Sequence, residues 1–168
     1  MAESLEAQIA ELHVPCFGWA MTCCRRDAEE AREVLQQTYV KVLTGRARFD
    51  GRSALRTWLF GVIRLTALEQ RRWGRHRSSE DADETASGAA SPESSAADRQ
   101  RAEALAAALA KLSEKQREVL HLVFYEDLTI AEAAIVMEVS LGTARTHYER
   151  GKESLAALLR EGRDHERR

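Results

Sequence analysis

A stretch of 21 residues with almost nothing to bury divides this chain in two. Residues 78–98, SSEDADETASGAASPESSAAD, contain no aromatic and no branched aliphatic residue, and they hold one of the chain's two prolines. Such a segment cannot bury enough apolar surface to offset the entropy that is lost on ordering. The sequence therefore predicts a flexible linker between two small domains, residues 1–77 and residues 99–168.

The composition indicates that both domains are helical, and it excludes several broad classes of protein. A chain of 168 residues is too short for a large catalytic barrel. Only 6% of the residues are aromatic, and Ala and Arg, which favour helices, are abundant. We therefore predict an all-α fold of two small helical domains joined by a flexible acidic linker. No segment is long and apolar enough to span a membrane, and the N-terminus lacks a signal-peptide pattern, so we expect a cytoplasmic protein.

The small net charge of −2 hides an uneven distribution of charge along the chain. Residues 1–77 carry a net charge of +4, residues 78–98 carry −6, and residues 99–168 are neutral. Residues 45–77 contain nine arginines against two acidic residues, and we call these arginines the basic stripe. A basic stripe attracts the phosphates of a nucleic acid, although a solvated helix face would give the same pattern.

Apolar spacing and capping residues predict four helices in the first domain. Two short helices are expected before Asp27. Asp27 and Glu30 form a capping-box pattern ahead of a third helix, which ends at Gly45. Ser53 is the expected N-cap of a long fourth helix, which reaches Trp73 and carries most of the basic stripe.

The second domain contains a helix-turn-helix pattern. Two capping boxes mark helix starts, Ser113 with Gln116 and Thr129 with Glu132. The second box begins a short helix over residues 130–137. A three-residue turn, residues 138–140, follows, and its last residue, Ser140, is the N-cap of a longer helix. The inward positions predicted ahead of the motif are Ala102, Leu105, Leu109 and Leu112 on one helix and Val119, Leu120, Val123 and Phe124 on the next. In a helix-turn-helix the second helix enters the DNA major groove. The alternative interpretation of this pattern is an ordinary helical hairpin with no DNA-binding role.

The second helix of this motif has an apolar face and a polar face. The inward positions recur at intervals of three and four residues and are Leu141, Ala144, Tyr148, Gly151, Leu155 and Leu158. The opposite face presents Thr143, Arg145, Thr146, His147, Glu149, Arg150 and Lys152. Arginine binds guanine edges bidentately, and threonine contacts thymine methyl groups or phosphates. Glu138 stands in the turn where glycine is usual, at a cost of about 1 kcal/mol for a positive φ.

Two segments of the sequence resemble a known family. The promoter-binding C-terminal domain of bacterial RNA polymerase sigma factors is similar to LSEKQREVLHLVFYEDLTIAEAAIVMEVSLGTARTHYERGKESLAALL, and their N-terminal domain is similar to RFDGRSALRTWLFGVIRLTALEQRRW. The resemblance covers residues 10–77 and 105–160. The organisation into two domains without a middle domain resembles that of the extracytoplasmic-function (ECF) class. It implies a non-catalytic subunit that binds core RNA polymerase, recognises promoter DNA and helps to open it. It also implies an anti-sigma factor that masks both surfaces, with the two domains closing around it.

The resemblance also implies roles for the matching positions. The third helix resembles the segment that binds the largest polymerase subunit, and the matching residues are Glu33, Gln36, Gln37 and Tyr39. The next loop and helix resemble the part that opens the minus-10 element and holds an extruded base, with Phe49, Asp50, Gly51, Arg52, Ser53, Arg56, Arg64, Arg71 and Arg72. The minus-35 element would be read by Ser140, Thr143, Arg145, Thr146, His147, Arg150 and Lys152. Leu65 and Glu69 depart from the family, which often has Asn and Asp there.

Two other functions would fit part of the sequence. A stand-alone helix-turn-helix regulator would explain residues 99–160 but would leave the first domain without a role. A zinc or redox sensor could use His13, Cys16, Cys23 and Cys24, although cysteines in a chain without a secretion signal are usually reduced and buried. We expect no cofactor, no resident metal and no catalytic residue, because the chain has no Gly-rich phosphate loop, nucleophile elbow or HExxH motif.

Overall fold

The computed structural model describes residues 4–77 and 95–166, and within these ranges the chain forms eight α-helices and one π-helical turn. The helices are α1 (Leu5–Glu11), α2 (His13–Cys23), α3 (Ala28–Leu43), α4 (Leu55–Arg77), α5 (Ala96–Ala110), α6 (Glu114–Leu120), α7 (Ile130–Met137) and α8 (Leu141–Glu166). The π-helical turn, His121–Tyr125, follows α6 directly. The predicted all-α fold is confirmed. Residues 78–94 of the predicted linker lie outside the described residues, and residues 96–98 are the first turn of α5.

Local capping signals define the helices of the first half. The carboxylate of Asp27 accepts hydrogen bonds from two backbone N–H groups of the first turn of α3, both at 3.0 Å, so it caps this helix as predicted. Gly45 follows α3 with φ at 73°, a left-handed conformation that glycine adopts without strain. The predicted N-cap of α4 is wrong by one residue, since α4 begins at Leu55. The hydroxyl of Ser53 instead donates to the carbonyl of Ala54 at 3.3 Å.

Both capping boxes that the sequence predicts in the second half are present, and α7 has the predicted bounds. Four predicted inward positions are wrong, because Ala102 is exposed and Leu105, Phe124 and Leu141 are 42%, 62% and 44% exposed. In the π-helical turn the N–H of Glu126 bonds to the carbonyl of His121, five residues earlier. This wider turn adds a residue relative to an α-helix. The regular spacing of α6 therefore breaks down, and Phe124 points outward.

The two halves pack against each other around one hydrophobic core. Trp19 of α2 is fully buried and donates from Nε1 to the carbonyl of Phe60 at 3.0 Å. Its ring packs against the rings of Phe60 and His121, with centroids 6.0 and 5.5 Å away. Beyond this contact, α4 packs along α7, and the shared core includes Leu122 and Met137. The N-terminal helices are therefore in direct contact with the half that carries the helix-turn-helix.

Candidate nucleic-acid interface

The turn between α7 and α8 has the geometry of a helix-turn-helix. Glu138 ends α7 in the left-handed conformation, with φ at 54° and ψ at 44°, as the sequence predicts. The hydroxyl oxygen of Ser140 then accepts a hydrogen bond from the N–H of Thr143 at 3.1 Å, which caps α8. The two hydroxyls, of Ser140 and Thr143, lie 2.8 Å apart. Both stand at a helix N-terminus, where backbone N–H groups and the helix dipole favour a phosphate.

The orientation of α8 is set by its close contact with α6 at Gly151. A Cβ atom at this position would lie 3.2 Å from Cδ1 of Leu120 and 3.3 Å from Cβ of Gln116, so a larger residue would crowd this contact. Ala144, two turns earlier, is also buried. These contacts direct the opposite face of α8 to solvent, where the predicted minus-35 residues Thr143, Arg145, Thr146 and Arg150 are exposed.

The remaining predicted minus-35 side chains are partly engaged within the protein. His147 and Lys152 are half-buried. The ammonium of Lys152 lies 4.4 Å from the centre of the Tyr148 ring and 3.2 Å from Oε2 of Glu149. Arg145 and Arg150 have no such contact within the described residues, so both guanidinium groups are available to DNA.

The loop between α3 and α4 carries the second predicted DNA surface. The ring of Phe49 is tilted against that of Trp58, with centroids 5.3 Å apart, and Trp58 packs against the hydrophobic core. Oδ1 of Asp50 accepts a hydrogen bond from the N–H of Arg52 at 3.1 Å, and Gly51 between them has φ at 74°. The predicted minus-10 residues exposed here and on α4 are Phe49, Asp50, Gly51, Arg52 and Arg72, while Ser53 is half-buried.

Leu65 and Glu69, the two departures from the family pattern, lie on an exposed part of α4. Leu65 is 39% exposed. Glu69 forms an ion pair with Lys41 of α3, and the same ammonium donates to the hydroxyl of Thr66 at 3.1 Å. The carboxylate of Glu69 therefore joins α3 to α4.

Three arginines of the predicted minus-10 surface face the second half of the chain. They are Arg56, Arg64 and Arg71, and their carboxylate partners are Glu126, Glu118 and Glu114, respectively. The Nε–Oε1 distance between Arg64 and Glu118 is 2.9 Å, and their side chains are only 6% and 2% exposed. The Nη1–Oε1 distance between Arg71 and Glu114 is 2.5 Å. The basic stripe is thus divided into an outward part and a part that is paired inside the protein.

The carboxylates of Glu126 and Glu114 are held in the charged form. Burial raises the pKa of Glu126, but hydrogen bonds and charges from His121 and Arg56 outweigh it, so the net pKa is lowered. Burial likewise raises the pKa of Glu114, and the hydrogen bond and charge of Arg71 reverse this effect. Both carboxylates are therefore negatively charged at neutral pH.

The predicted polymerase-binding residues lie along α3. Glu33, Gln36 and Gln37 are exposed, whereas Tyr39 is half-buried. The hydroxyl of Tyr39 lies 3.0 Å from Nδ1 of His13, and burial raises the pKa of this phenol to about 12, so it keeps its proton. The three polar side chains are thus available to a partner, and Tyr39 joins α3 to α2.

Sequence reasoning missed the apolar side chains that accompany this polar set. Val40 and Leu43 of α3 are 43% and 59% exposed. Leu43 and Tyr39 line an open cavity together with Ile9 of α1. Both missed residues lie outside the buried face of α3, which consists of Ala31, Val34, Leu35, Thr38 and Val42. Apolar residues outside the buried face of a helix were the available signal of an exposed apolar surface.

The alternative zinc or redox site is not assembled. Cys16, Cys23 and Cys24 are buried free thiols, and the imidazole of His13 is hydrogen-bonded to the hydroxyl of Tyr39. Burial raises the pKa of Cys16 and of Cys24 to about 12, so both thiols are protonated and unreactive at neutral pH. Within residues 4–77 and 95–166, no group of three His, Cys, Asp or Glu side chains could hold a metal ion.

None of the helices in the described part of the chain is long and apolar enough to cross a membrane.

Fold and interface together define a helix-turn-helix protein with a second, arginine-rich helical half. Residues 10–77 match Sigma-70 region 2, and residues 102–155 match Sigma-70, region 4. The chain therefore belongs to the RNA polymerase sigma-70 factors, and within them to the ECF class.

Relatives of this chain are themselves named sigma factors. It is 31% identical over 134 residues to the ECF RNA polymerase sigma factor EcfG of Rhodopseudomonas palustris, which covers 79% of this chain and 73% of the relative. It is 29% identical over 143 residues to the RNA polymerase sigma factor YlaC of Bacillus subtilis, which covers 83% of each. The fold is similar to that of the sigma factor RpoE in complex with the anti-sigma factor NepR from Bartonella quintana. That similarity has a TM-score of 0.76 at 23% identity and covers 93% of this chain and 98% of that chain.

Proposed function

We propose that this ECF sigma factor acts as a non-catalytic specificity subunit. It binds core RNA polymerase reversibly, recognises a promoter with two separate surfaces and assists its opening. The observation that carries the proposal is the presence, in one chain, of an exposed polar face on α8 and an exposed aromatic and arginine loop before α4. The first suits duplex DNA, and the second suits an unstacked base and a single strand.

In this proposal residues 1–77 bind polymerase and open the minus-10 element, residues 78–98 are the linker, and residues 99–168 bind the minus-35 element. The polymerase-binding side chains are Glu33, Gln36, Gln37 and Tyr39. Since Val40 and Leu43 are exposed beside them, an apolar contact would accompany the polar ones. A buried apolar centre with a polar rim is the usual composition of such an interface.

The promoter contacts follow the exposure of the side chains. Arg145 is proposed to bind a base edge, and Thr143, Thr146 and Arg150 to bind neighbouring bases or phosphates. Phe49 and Arg52 are proposed to hold the opened strand by stacking and by charge. The protein is proposed to work in the cytoplasm and to be inhibited by an anti-sigma factor, which would cover the polymerase- and DNA-binding surfaces.

Substitution of Arg145 tests the proposed reading of the minus-35 element. The promoter for this test is one that the native holoenzyme selects. Holoenzyme formed with Arg145→Ala should bind this promoter more weakly, by about 1–3 kcal/mol of binding free energy, and its sequence preference should relax at one base pair. Arg160→Ala is the matched control, because Arg160 is an exposed arginine farther along α8. Unchanged affinity and unchanged base preference in Arg145→Ala would refute the assignment.

A further inference from the structure

We propose that the outer end of α4, at Arg72 and Trp73, is a third DNA-binding surface, which holds duplex DNA between the minus-10 and minus-35 elements. The indole of Trp73 packs on the apolar surface of the duplex, and the guanidinium of Arg72 binds a phosphate. This inference rests on the proposed function, because the minus-10 loop at the start of α4 positions the DNA along this helix.

Trp73 is a large apolar residue that the fold leaves in solvent. It is 76% exposed, whereas Trp19 is fully buried and Trp58 packs against the hydrophobic core. Within residues 4–77 and 95–166, the indole of Trp73 has no hydrogen bond and no ring contact. Tryptophan is highly buried on average and is enriched where a partner covers it. The exposed indole is therefore typical of a binding surface.

Trp73 belongs to a continuous exposed strip on one side of α4. Leu65, Glu69 and Trp73 follow one another at intervals of four residues, Arg72 lies beside them, and all four are exposed. Residues four apart on a helix are neighbours on its surface. The opposite side of the helix, which includes Ile63, is buried in the core. We call the four exposed residues the outer strip.

The charge at this end of α4 favours a partner that carries phosphates. Residues 70–77 contain four arginines, one histidine and no acidic residue. One of the arginines, Arg71, is paired inside the protein, whereas Arg72 is exposed and its guanidinium has no ion pair in the described part of the chain. Glu69 of the outer strip is ion-paired with Lys41, so it adds little repulsion toward a phosphate. Arginines around an aromatic side chain are a common composition of nucleic-acid surfaces.

The length of α4 sets the distance between this end and the minus-10 loop. Trp58 contacts Phe49 of that loop and stands 15 residues before Trp73. At about 1.5 Å per residue, the two tryptophans are about 22 Å apart along the helix axis. This length corresponds to about six base pairs of B-DNA, at about 3.4 Å each.

The order of the chain gives the direction of this surface on the promoter. The half that carries the proposed minus-35 surface follows α4, so the end of α4 points from the minus-10 element toward the minus-35 element. With α4 lying along the DNA, Trp73 faces the duplex upstream of the opened segment. Arg72, a predicted minus-10 residue, then lies at the upstream edge of that element.

Two kinds of contact with a duplex are available to these side chains. Apolar side chains contact the methyl group of thymine in the major groove. An arginine binds phosphate oxygens, which fixes the position of the DNA but carries no sequence information. We therefore expect this surface to strengthen promoter binding and to favour thymine beside the indole.

Substitutions of Trp73 test the contact in the holoenzyme. The readouts are the affinity for a promoter that the native holoenzyme selects and, without DNA, the affinity of the chain for core polymerase. Trp73→Ala removes the indole, and Trp73→Phe keeps an aromatic ring. Val14→Ala is the matched control, because Val14 is an apolar residue of α2 that is 78% exposed.

Trp73→Ala should lower the promoter affinity of the holoenzyme about fivefold or more, as the loss of a buried tryptophan contact does at other interfaces. Trp73→Phe should retain most of the affinity, and Val14→Ala all of it. The affinity for core polymerase should be native in all three variants. Native promoter affinity in Trp73→Ala would overturn the proposal. An equal loss of affinity for core polymerase would also overturn it and would make Trp73 a protein contact.

Photo-crosslinking locates the contact on the DNA. The probe is 5-bromodeoxyuridine, in which bromine replaces the methyl group of thymine, placed singly at successive positions from the minus-10 element toward the minus-35 element. A cross-link to the chain should form about five to eight base pairs from the base held by the minus-10 loop. It should be lost in Trp73→Ala and kept in Val14→Ala. The native cross-linking pattern in Trp73→Ala would refute the assignment.

The salt dependence of binding tests the phosphate contact of Arg72. In Arg72→Gln the slope of log affinity against log salt concentration should be shallower by about 0.9, the value for one phosphate contact. Its base preference should be unchanged, and Arg72→Lys, which keeps the charge, should have the native slope. A native slope in Arg72→Gln would refute the phosphate contact.

The native holoenzyme separates a failure of this inference from a failure of the proposed function. If it initiates at defined promoters while Trp73→Ala keeps native promoter binding and cross-linking, the third surface is refuted and the proposed function stands. If the native holoenzyme does not initiate at any promoter, the proposed function itself fails.

Discussion

A methyl group added at Gly151 tests whether the DNA-facing orientation of α8 depends on its contact with α6. A Cβ atom there would be 3.2 Å from Leu120 Cδ1 and 3.3 Å from Gln116 Cβ. Leu120 is only 4% exposed, so it has little room to move away. Overpacking of this kind costs about 1–3 kcal/mol. In a helix interior, alanine is otherwise favoured over glycine by about 1 kcal/mol, so Gly151→Ala should change the free energy of unfolding by about 0 to −2 kcal/mol.

Gly162→Ala in the same helix is the matched control. No atom lies within 4 Å of a Cβ built at Gly162, so only the helical preference for alanine acts there. This variant should gain about 0.5–1 kcal/mol. The two variants should therefore differ by about 1–3 kcal/mol in urea unfolding, and each kcal/mol corresponds to about 2–4 °C in Tm for a chain of this size. If Gly151→Ala stabilised the protein as much as Gly162→Ala, the reasoning about this helix contact would be refuted.

Replacing Glu138 by glycine should raise the free energy of unfolding by up to about 1 kcal/mol in urea titrations, because it relieves the backbone strain of a left-handed non-glycine residue. The added freedom of glycine in the unfolded chain offsets part of this gain. A loss of stability would contradict the strain. The thiols of Cys16 and Cys24 should react with iodoacetamide at neutral pH much more slowly than a free thiol, since burial raises the pKa of each to about 12; rapid labelling of the native protein would contradict their burial. The pKa of Glu126 is lowered, so its stabilising pair with Arg56 should be fully present above about pH 4.5 and lost as the pH falls through the lowered value. The difference in unfolding free energy between the native chain and Glu126→Gln should therefore shrink in strong acid, and a constant difference would contradict the pairing.

The parts of the fold that were predictable from the sequence depend on signals close together in the chain. Thr129 and Glu132 form their capping box within one turn, and α7 has the predicted bounds. The positive φ of Glu138 followed from its place in the turn. Ser53, in contrast, is displaced by one residue from its expected capping role.

The parts that were not predictable depend on residues far apart in the chain. Arg56 and Arg64 were interpreted as members of a DNA-facing stripe, but their carboxylate partners are 70 and 54 residues away. Periodicity along α4 does not show which face another helix will cover. Similarly, Phe124 lies outward because of a π-helical turn, which has no capping signal of its own. Exposure therefore separates the predicted site residues into outward and paired groups, a division that spacing alone does not reveal.

Run-off transcription with core RNA polymerase on a library of random promoter sequences tests the central claim most directly. The purified chain should direct core polymerase to defined start sites whose templates share two spaced elements, one for each DNA-binding surface. DNA binding by the chain alone with no defined transcript would contradict the claim and would favour a stand-alone helix-turn-helix regulator.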